Sequence, residues 1–297
     1  MKSYYADNTI LFLDGDYVLA NEARTDLFGQ TLHYGYGVFE GIRAYQTVHG
    51  TKVFQGKAHF DRLLESCRMI GIPMAYSADE LLQASYQILS RNNLSNAYLR
   101  PLVTCSPNMS LTAPENVSVM ITAWDWGKYF SSSSLRVCWS SYQRPNPKSI
   151  HIEAKACGHY VNSILATSEA KARGFDEALM LDMDGNVAEA PGANFFFEKD
   201  GALHTPKPGH ILPGITRRVV LDICQELDIP VFERAIHPDE VRTADSAFFC
   251  GTAAEITALE SIEDNVFTKP WKKSLGRIIQ EAYHCLTLDK NYSYFIV

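Results

Sequence analysis

No stretch of this 297-residue chain reaches the roughly 18 consecutive apolar residues of a membrane span. No run of basic residues is longer than two, at Arg217–Arg218 and Lys272–Lys273. With 27 Lys and Arg against 34 Asp and Glu, the net charge of −7 gives no attraction to a phosphate backbone or an anionic lipid surface. Neither a nucleic acid nor a membrane is therefore expected as a partner. Cysteine is sparse and scattered, at 67, 105, 138, 157, 224, 250 and 285. That spacing holds no CxxC, and the odd count argues against a disulfide framework, so a reducing compartment is expected. The nine histidines form no HExxH, and no metal site is expected. The opening residues Met1 to Asn8 lack the apolar core of a signal peptide, which points to a cytoplasmic protein. What is present is ordinary for a folded chain, 46% hydrophobic and 21% charged residues, and the length favours two domains.

The residue patterns predict a mixed fold. Asp14-Gly15 between Ile10–Leu13 and Tyr17–Leu19 signals a hairpin. A second β pair runs from Phe39 to Tyr45 and from Thr51 to Gln55, turning at His49-Gly50. Phe60, Leu63, Leu64, Cys67 and Ile70 share one helical face, closed by Gly71 and Pro73. Ser77 and Glu80 form a capping box for a helix through Leu89, and strands follow at Tyr98–Cys105 and Val117–Trp124. The pattern then stops in Asp125 to Ser134, which gives domains at 1–127 and 135–297 with a linker at 128–134. The second half predicts strands at Leu135–Ser141, Glu177–Met183, Asn194–Glu198, Ala202–His204 and Ser246–Cys250. Helices are predicted at about His159–Arg173, after Pro213-Gly214, and at about Trp271–Leu286. Without a regular βαβ alternation, the fold class is α+β, a small domain followed by a larger one.

The glycine-rich run Gly35-Tyr-Gly37-Val-Phe-Glu-Gly41 has GxGxxxG spacing and precedes a strand, so it lacks dinucleotide geometry. Better anion candidates are Gly214-Ile215-Thr216, at a helix start, and Gly251-Thr252-Ala253, at a strand end. The plainer readings are a helix-entry glycine and a strand terminator. Arg62 lies beside the apolar face of its helix, where an arginine usually just lays its stem along the surface. Of thirteen lysines, Lys155 has the small neighbours Ala154 and Ala156, leaving room for a group bonded to its amine. An ordinary surface lysine is the plainer reading there, as an exposed loop acid is for Glu189 and a core aromatic for Tyr160.

These separate signals fall into one pattern. The run His33-Tyr34-Gly35-Tyr36-Gly37-Val38-Phe39-Glu40-Gly41-Ile42-Arg43 resembles the front signature of branched-chain amino acid aminotransferases. The resemblance continues through His59–Leu63, Ala97–Pro101, Trp126–Tyr129, Ala154–Ala156, Glu189–Asn194, Leu212–Arg217 and Gly251–Glu255, in order and over nearly the whole chain. It implies a fold-type-IV enzyme that uses pyridoxal 5′-phosphate and moves the amino group of L-leucine, L-isoleucine or L-valine to 2-oxoglutarate.

The resemblance also implies roles. Lys155 holds the cofactor as a Schiff base and moves the α-proton. Glu189 pairs with the pyridine nitrogen, Tyr160 with the phenolic oxygen, and Arg62, Ile215, Thr216 and Thr252 with the phosphate. Phe39, Trp126, Tyr129 and Tyr160 line the apolar side of the substrate pocket, which includes Gly41. Tyr98, with the amides of Thr252 and Ala253, holds the α-carboxylate. Arg43 and Arg100, with Tyr34 from a partner subunit, meet the distal carboxylate of glutamate. A charged Arg100 within an apolar strand is costly unless paired or used. A homo-oligomer, at least a dimer, is implied as well.

The sequence departs from the family where Cys157-Gly158-His159 replaces two glycines and an asparagine, and where Ala190-Pro191-Gly192-Ala193 precedes Asn194. The loop Ser106–Leu111 is short for the family. Alternatives of the same fold are a D-amino acid aminotransferase and an aminodeoxychorismate-lyase-like enzyme. Outside it stand a protein that binds the cofactor without turnover and a phosphometabolite-binding module. The run Phe39 to Arg43 favours the branched-chain enzymes over the first two, and Lys155, Glu189 and Tyr160 together favour turnover.

Overall fold

The computed structural model describes residues 4–127 and 132–290. The chain forms two compact units, Met1–Gly127 with Ala154–His159, and Lys128–Glu153 with Tyr160–Val297. The segment Ala154–His159, assigned from sequence to the second domain, thus belongs to the first unit. The reason is local pairing. Phe39 N–H donates to the Lys155 carbonyl at 3.1 Å, Gly158 N–H to the Gly35 carbonyl at 2.9 Å, and Val38 bridges Ala156.

The first unit contains β1 (Ile10–Leu13), β2 (Asp16–Leu19), α1 (Gln30–Tyr34), β3 (Gly37–Phe39), β4 (Ile42–Thr47) and β5 (Gly50–Val53). Then come α2 (Gly56–Met69), α3 (Ala78–Arg91), β6 (Ala97–Cys105) and β7 (Val117–Trp124). Among the described residues the strands form one antiparallel sheet in the order β2-β1-β7-β6-β4-β5, with β3 also on β6. Asp14 and Gly15 take φ of 51° and 103°, the left-handed pair that a two-residue hairpin turn requires. The Ser77 capping box forms: Glu80 N–H donates to Ser77 Oγ, and Ser77 N–H to Glu80 Oε2 at 2.7 Å. Phe60, Leu63 and Cys67 of α2 pack with Leu81, Ala84 and Ile88 of α3 in the core that covers this sheet.

The predicted strand from Phe39 to Tyr45 is interrupted at Glu40 and Gly41. Opposite them in β6 stands Pro101, which accepts from Glu40 N–H at 2.9 Å but has no N–H to return. The interruption aims the Glu40 side chain into the core, where it is 0% exposed.

The second unit contains β8 (Ser134–Trp139), α4 (Tyr160–Ala172), β9 (Glu177–Leu179), β10 (Glu189–Ala190), β11 (Ala193–Lys199) and β12 (Ala202–Pro206). It continues with α5 (Ile215–Glu226), β13 (Val231–Arg234), α6 (Pro238–Val241), β14 (Ser246–Gly251), β15 (Glu255–Ile262), β16 (Asn265–Val266) and α7 (Leu275–Thr287). Among the described residues its mixed sheet runs β13-β12-β11-β14-β15-β8-β9, with β10 on β11 and β16 on β15. Phe195, Phe196 and Phe197 of β11, like Phe248 and Phe249 of β14, are all fully buried. Both sheet faces are therefore covered, which explains the unbroken apolar runs. Predicted Glu177–Met183 is a regular strand only to Leu179; the chain then bridges Val187 at Leu181 before Asp182 Oδ1 accepts from the amides of Asp184 and Asn186 and turns it. The predicted helix from Trp271 splits into a 3-10 turn, Trp271–Lys273, and α7, capped by Ser274 Oγ accepting from Arg277 N–H at 3.2 Å. The expected α+β class holds. No described helix is long and apolar enough to cross a membrane.

Candidate active site

In the first unit the small residues around Lys155 let its segment pair with β3 while α2 holds the other side. Ser66 Oγ accepts from Lys155 N–H at 3.0 Å, and Phe39 N–H donates to the Lys155 carbonyl. The main chain at this lysine is thus fixed on both sides by groups far away in sequence. Its Nζ lies 5.1 Å from the Phe39 ring centroid, and Arg100 Cζ lies 4.8 Å from the same ring. One buried aromatic therefore stands close to two basic groups.

Tyr98, Arg100 and Gly41 form a second cluster. Arg100 Nη2 donates to the Tyr98 hydroxyl at 3.3 Å, while buried Arg100 Nε has no hydrogen-bond partner among the described residues. A Cβ on Gly41 would stand 1.9 Å from the Tyr98 hydroxyl oxygen, so only glycine admits that ring. Tyr98 packs edge-on to Trp126 at 4.4 Å and tilted against Trp124 at 5.2 Å. Arg43, expected at a substrate carboxylate, donates from Nη2 to the carbonyls of Trp126 at 3.2 Å and Gly127 at 2.7 Å. Tyr34 is 46% exposed at the end of α1, and its hydroxyl donates to the Met109 carbonyl at 3.3 Å. Tyr129 lies outside the described residues.

Arg62 is engaged more closely than the sequence suggested. Its Nε and Nη2 donate to Glu40 Oε1 at 2.6 Å and Oε2 at 2.9 Å, and His59 Nδ1 lies 2.8 Å from Oε2. Burial alone would raise the Glu40 pKa, but the charge of Arg62 and then His59 overcome it and hold the carboxyl far below the usual range. Burial is also the main influence on His59, lowering its pKa against the pull of Glu40. Cys157, beside the lysine segment, is a poor thiolate, since burial pushes it up to about 11 despite the nearby Arg100 charge.

In the second unit β11 brings three candidate segments together. Asn194 pairs across the sheet with Glu189 on one side and Cys250 on the other, so the turn holding Thr252 and Ala253 follows its immediate neighbour. The buried Glu189 carboxylate accepts from Asn194 Nδ2 at 2.9 Å and Leu212 N–H at 3.0 Å, and forms an ion pair with Arg144 at 2.9 Å. Gly214, the N-cap of α5, offers no side-chain cap. The first amides of α5 and the Thr216 hydroxyl are therefore suited to an anion. A Cβ on Gly214 would stand 1.9 Å from Asn194 Oδ1, which ties the helix start to the Glu189 network. Tyr160 begins α4, whose Ser163 Oγ donates to the Pro191 carbonyl at 2.8 Å.

Glu40, His59, Ser66 and Arg144 had no assigned role in the sequence reading. The spacing of His59, Arg62 and Ser66, at i, i+3 and i+7, was the available signal for one polar helix face. Nothing local marks Arg144, whose partner is 45 positions further on.

The α+β framework places the chain in a class, and the chain belongs to the amino-transferase class IV family, whose profile matches residues 37–262. Among individual proteins, it is 40% identical over 287 residues to the branched-chain-amino-acid aminotransferase of Pseudomonas aeruginosa, covering 95% of this chain and 94% of that one. A crystal structure of the branched-chain aminotransferase of Thermoproteus uzoniensis with norvaline superposes with a TM-score of 0.92 at 39% identity, over 96% of this chain and 97% of that one. The branched-chain amino acid aminotransferase of Thermobaculum terrenum, in its PLP-bound holo form, gives 0.89 at 30% identity, over 97% of both chains. The expected fold type IV is thereby established.

Proposed function

We propose that this chain transfers the amino group of L-leucine, L-isoleucine and L-valine reversibly to 2-oxoglutarate, giving branched 2-oxo acids and L-glutamate, with pyridoxal 5′-phosphate as cofactor. The observation that carries this reading is the 40% identity to a branched-chain-amino-acid aminotransferase along 95% of the chain.

The donor set fits that cofactor. A primary amine at Lys155 suits an aldehyde, the buried carboxylate of Glu189 suits a pyridinium N–H, and the uncapped start of α5 suits a phosphate dianion. When bound, pyridoxal 5′-phosphate supplies the carbonyl that exchanges amines and the ring that delocalises an electron pair from the substrate Cα. We assign Lys155 to its carbonyl carbon, Glu189 to its ring nitrogen, and Tyr160 to its phenolic oxygen. Arg62, Ile215, Thr216 and Thr252 are assigned to the phosphate.

Lys155 Nζ, once neutral, takes the proton from the substrate Cα and returns it on the other side of the exchange. Its fixed main chain limits the Nζ to motions of its own stem, which favours the same amine for both transfers. Arg144, Asn194 and the Leu212 amide hold the Glu189 carboxylate in place, and the charge of Arg144 balances it inside the unit. Tyr98 and the amides of Thr252 and Ala253 bind the substrate α-carboxylate. Phe39, Trp126, Tyr129 and Tyr160, with Gly41 giving room, exclude water from an apolar side chain. Arg100, whose Nε has no acceptor among the described residues, binds the distal carboxylate of glutamate, joined by Arg43 and by Tyr34 of a second subunit.

That last role belongs to a homo-oligomer, at least a dimer, a reading supported by the exposed Leu27, Phe28, Leu32, Tyr34 and Leu111. Action in the cytoplasm is part of the same proposal, as is the division at 128–134. A panel of L- and D-amino donors, followed by the absorbance change of the bound cofactor, tests the function. Rapid conversion by L-leucine, L-isoleucine, L-valine and L-glutamate is expected. Conversion by D-donors alone, or by none, would refute it.

A further inference from the structure

The Glu40 carboxylate has no place in the chemistry above, yet it is the most enclosed acid of the first unit, 0% exposed at the break between β3 and β4. Among the described residues its hydrogen bonds lead to α2 or to its own neighbour. Arg62 binds it through two nitrogens, His59 Nδ1 lies 2.8 Å from Oε2, and Gly41 N–H donates to the same oxygen at 3.2 Å. A two-pronged pair of this kind fixes the plane of a guanidinium as well as its position. The same short segment reaches Lys155, since Phe39 N–H binds its carbonyl while Ser66 of α2 binds its amide. Residues 39–40 and the face of α2 bearing His59, Arg62 and Ser66 therefore make one hydrogen-bonded block carrying both the lysine backbone and Arg62.

We propose that Glu40 is a positioning residue that acts through Arg62, holding the guanidinium plane in the orientation in which it receives the cofactor phosphate. This rests on the assignment of Arg62 to the phosphate. An arginine without such a partner must lose the freedom of a long side chain each time it binds, whereas one already held by Glu40 does not. Glu40 is not a phosphate ligand itself, because its own charge repels the anion. Its whole contribution passes through the paired cation.

The test measures dissociation constants of the apoenzyme for pyridoxal 5′-phosphate and for pyridoxal, which lacks the phosphate, in wild type, Glu40→Gln, Arg62→Ala and the double variant. Glu40→Gln is expected to weaken pyridoxal 5′-phosphate by about tenfold to hundredfold while changing pyridoxal by less than about twofold. In the Arg62→Ala background the same change is expected to add less than about twofold, since the group it positions is gone. If Arg62→Ala weakens pyridoxal 5′-phosphate and Glu40→Gln does not, the Arg62 assignment stands and the positioning role is overturned. Equal loss for both ligands, or full additivity in the double variant, overturns it too. Wild-type affinity in Arg62→Ala removes the Arg62 assignment and the positioning role with it. Should Glu40→Gln not fold, Glu40→Asp carries the test, keeping the charge while withdrawing the carboxylate by one methylene. A phosphate-specific loss of affinity in that variant supports the role, and wild-type affinity overturns it.

Discussion

Gly41→Ala adds one methyl group where the Tyr98 hydroxyl already sits. The new Cβ would stand 1.9 Å from that oxygen and 2.7 Å from Cζ, against ordinary contacts of 3.4 Å or more. The hydroxyl must therefore retreat by roughly 1.5 Å in an interior that has little slack. Retreat is resisted by Trp126 at 4.4 Å, Trp124 at 5.2 Å and the hydrogen bond from Arg100. Overpacking of this kind costs about 1–3 kcal/mol, which lowers the melting temperature by roughly 2–12 °C for a unit of this size. The displaced hydroxyl also loses the substrate α-carboxylate proposed for it, a charge-assisted bond worth about 1.5–3 kcal/mol, so KM for leucine and for glutamate should rise roughly tenfold to 150-fold. Cofactor affinity should stay within about twofold of wild type, because Gly41 is not assigned to the cofactor. Thermal unfolding, steady-state kinetics and cofactor titration read the three effects separately. An unchanged melting temperature with an unchanged KM would refute the close approach as a requirement, and with it the role of Tyr98.

Four further outcomes are expected. Arg100→Ala should reduce kcat/KM for glutamate by roughly tenfold to 150-fold while sparing leucine, and equal losses for both donors would argue against the distal-carboxylate role. Lys155→Ala should lose at least about a hundredfold in both half-reactions yet still bind the cofactor noncovalently, and normal turnover would remove the assignment. Arg144→Met leaves the Glu189 charge buried without its cation and should cost about 3–5 kcal/mol in urea unfolding. A cost below about 1 kcal/mol would show that the pair carries little. Burial holds the Glu177 carboxyl above its ordinary range, so the folded state binds that proton more tightly than the unfolded state. The group's contribution to stability is full at pH below the ordinary carboxylate pKa and is lost as pH rises through the raised value. Glu177→Gln should accordingly melt higher than wild type near about pH 8, with the gap closing near about pH 4. A gap independent of pH would refute that origin.

Much of this framework was legible because the relevant signals are local. The Asp14-Gly15 turn, the Ser77–Glu80 capping box and the apolar face of Phe60, Leu63 and Cys67 each lie within a few residues. The Lys155 segment was singled out by its small neighbours, and the structure shows their use in close pairing with β3. What escaped depends on partners distant in sequence. The break at Glu40 follows from Pro101 in another strand, and the seating of 154–159 in the first unit follows from Val38, Phe39 and Ser66. Helix α1 has only five residues, too few to show a helical period. Of the site residues, Arg62 was legible as a cation on the right helix, but its pairing with Glu40 was not, since each reads as an ordinary charge in its own segment.

Lys155 as the residue that bonds the cofactor is most directly tested by borohydride reduction of the holoenzyme followed by peptide mapping. The phosphopyridoxyl mass is expected on the peptide containing Lys155 and on no other lysine. A label on a different lysine, or an unmodified Lys155 in fully loaded and reduced protein, would contradict it.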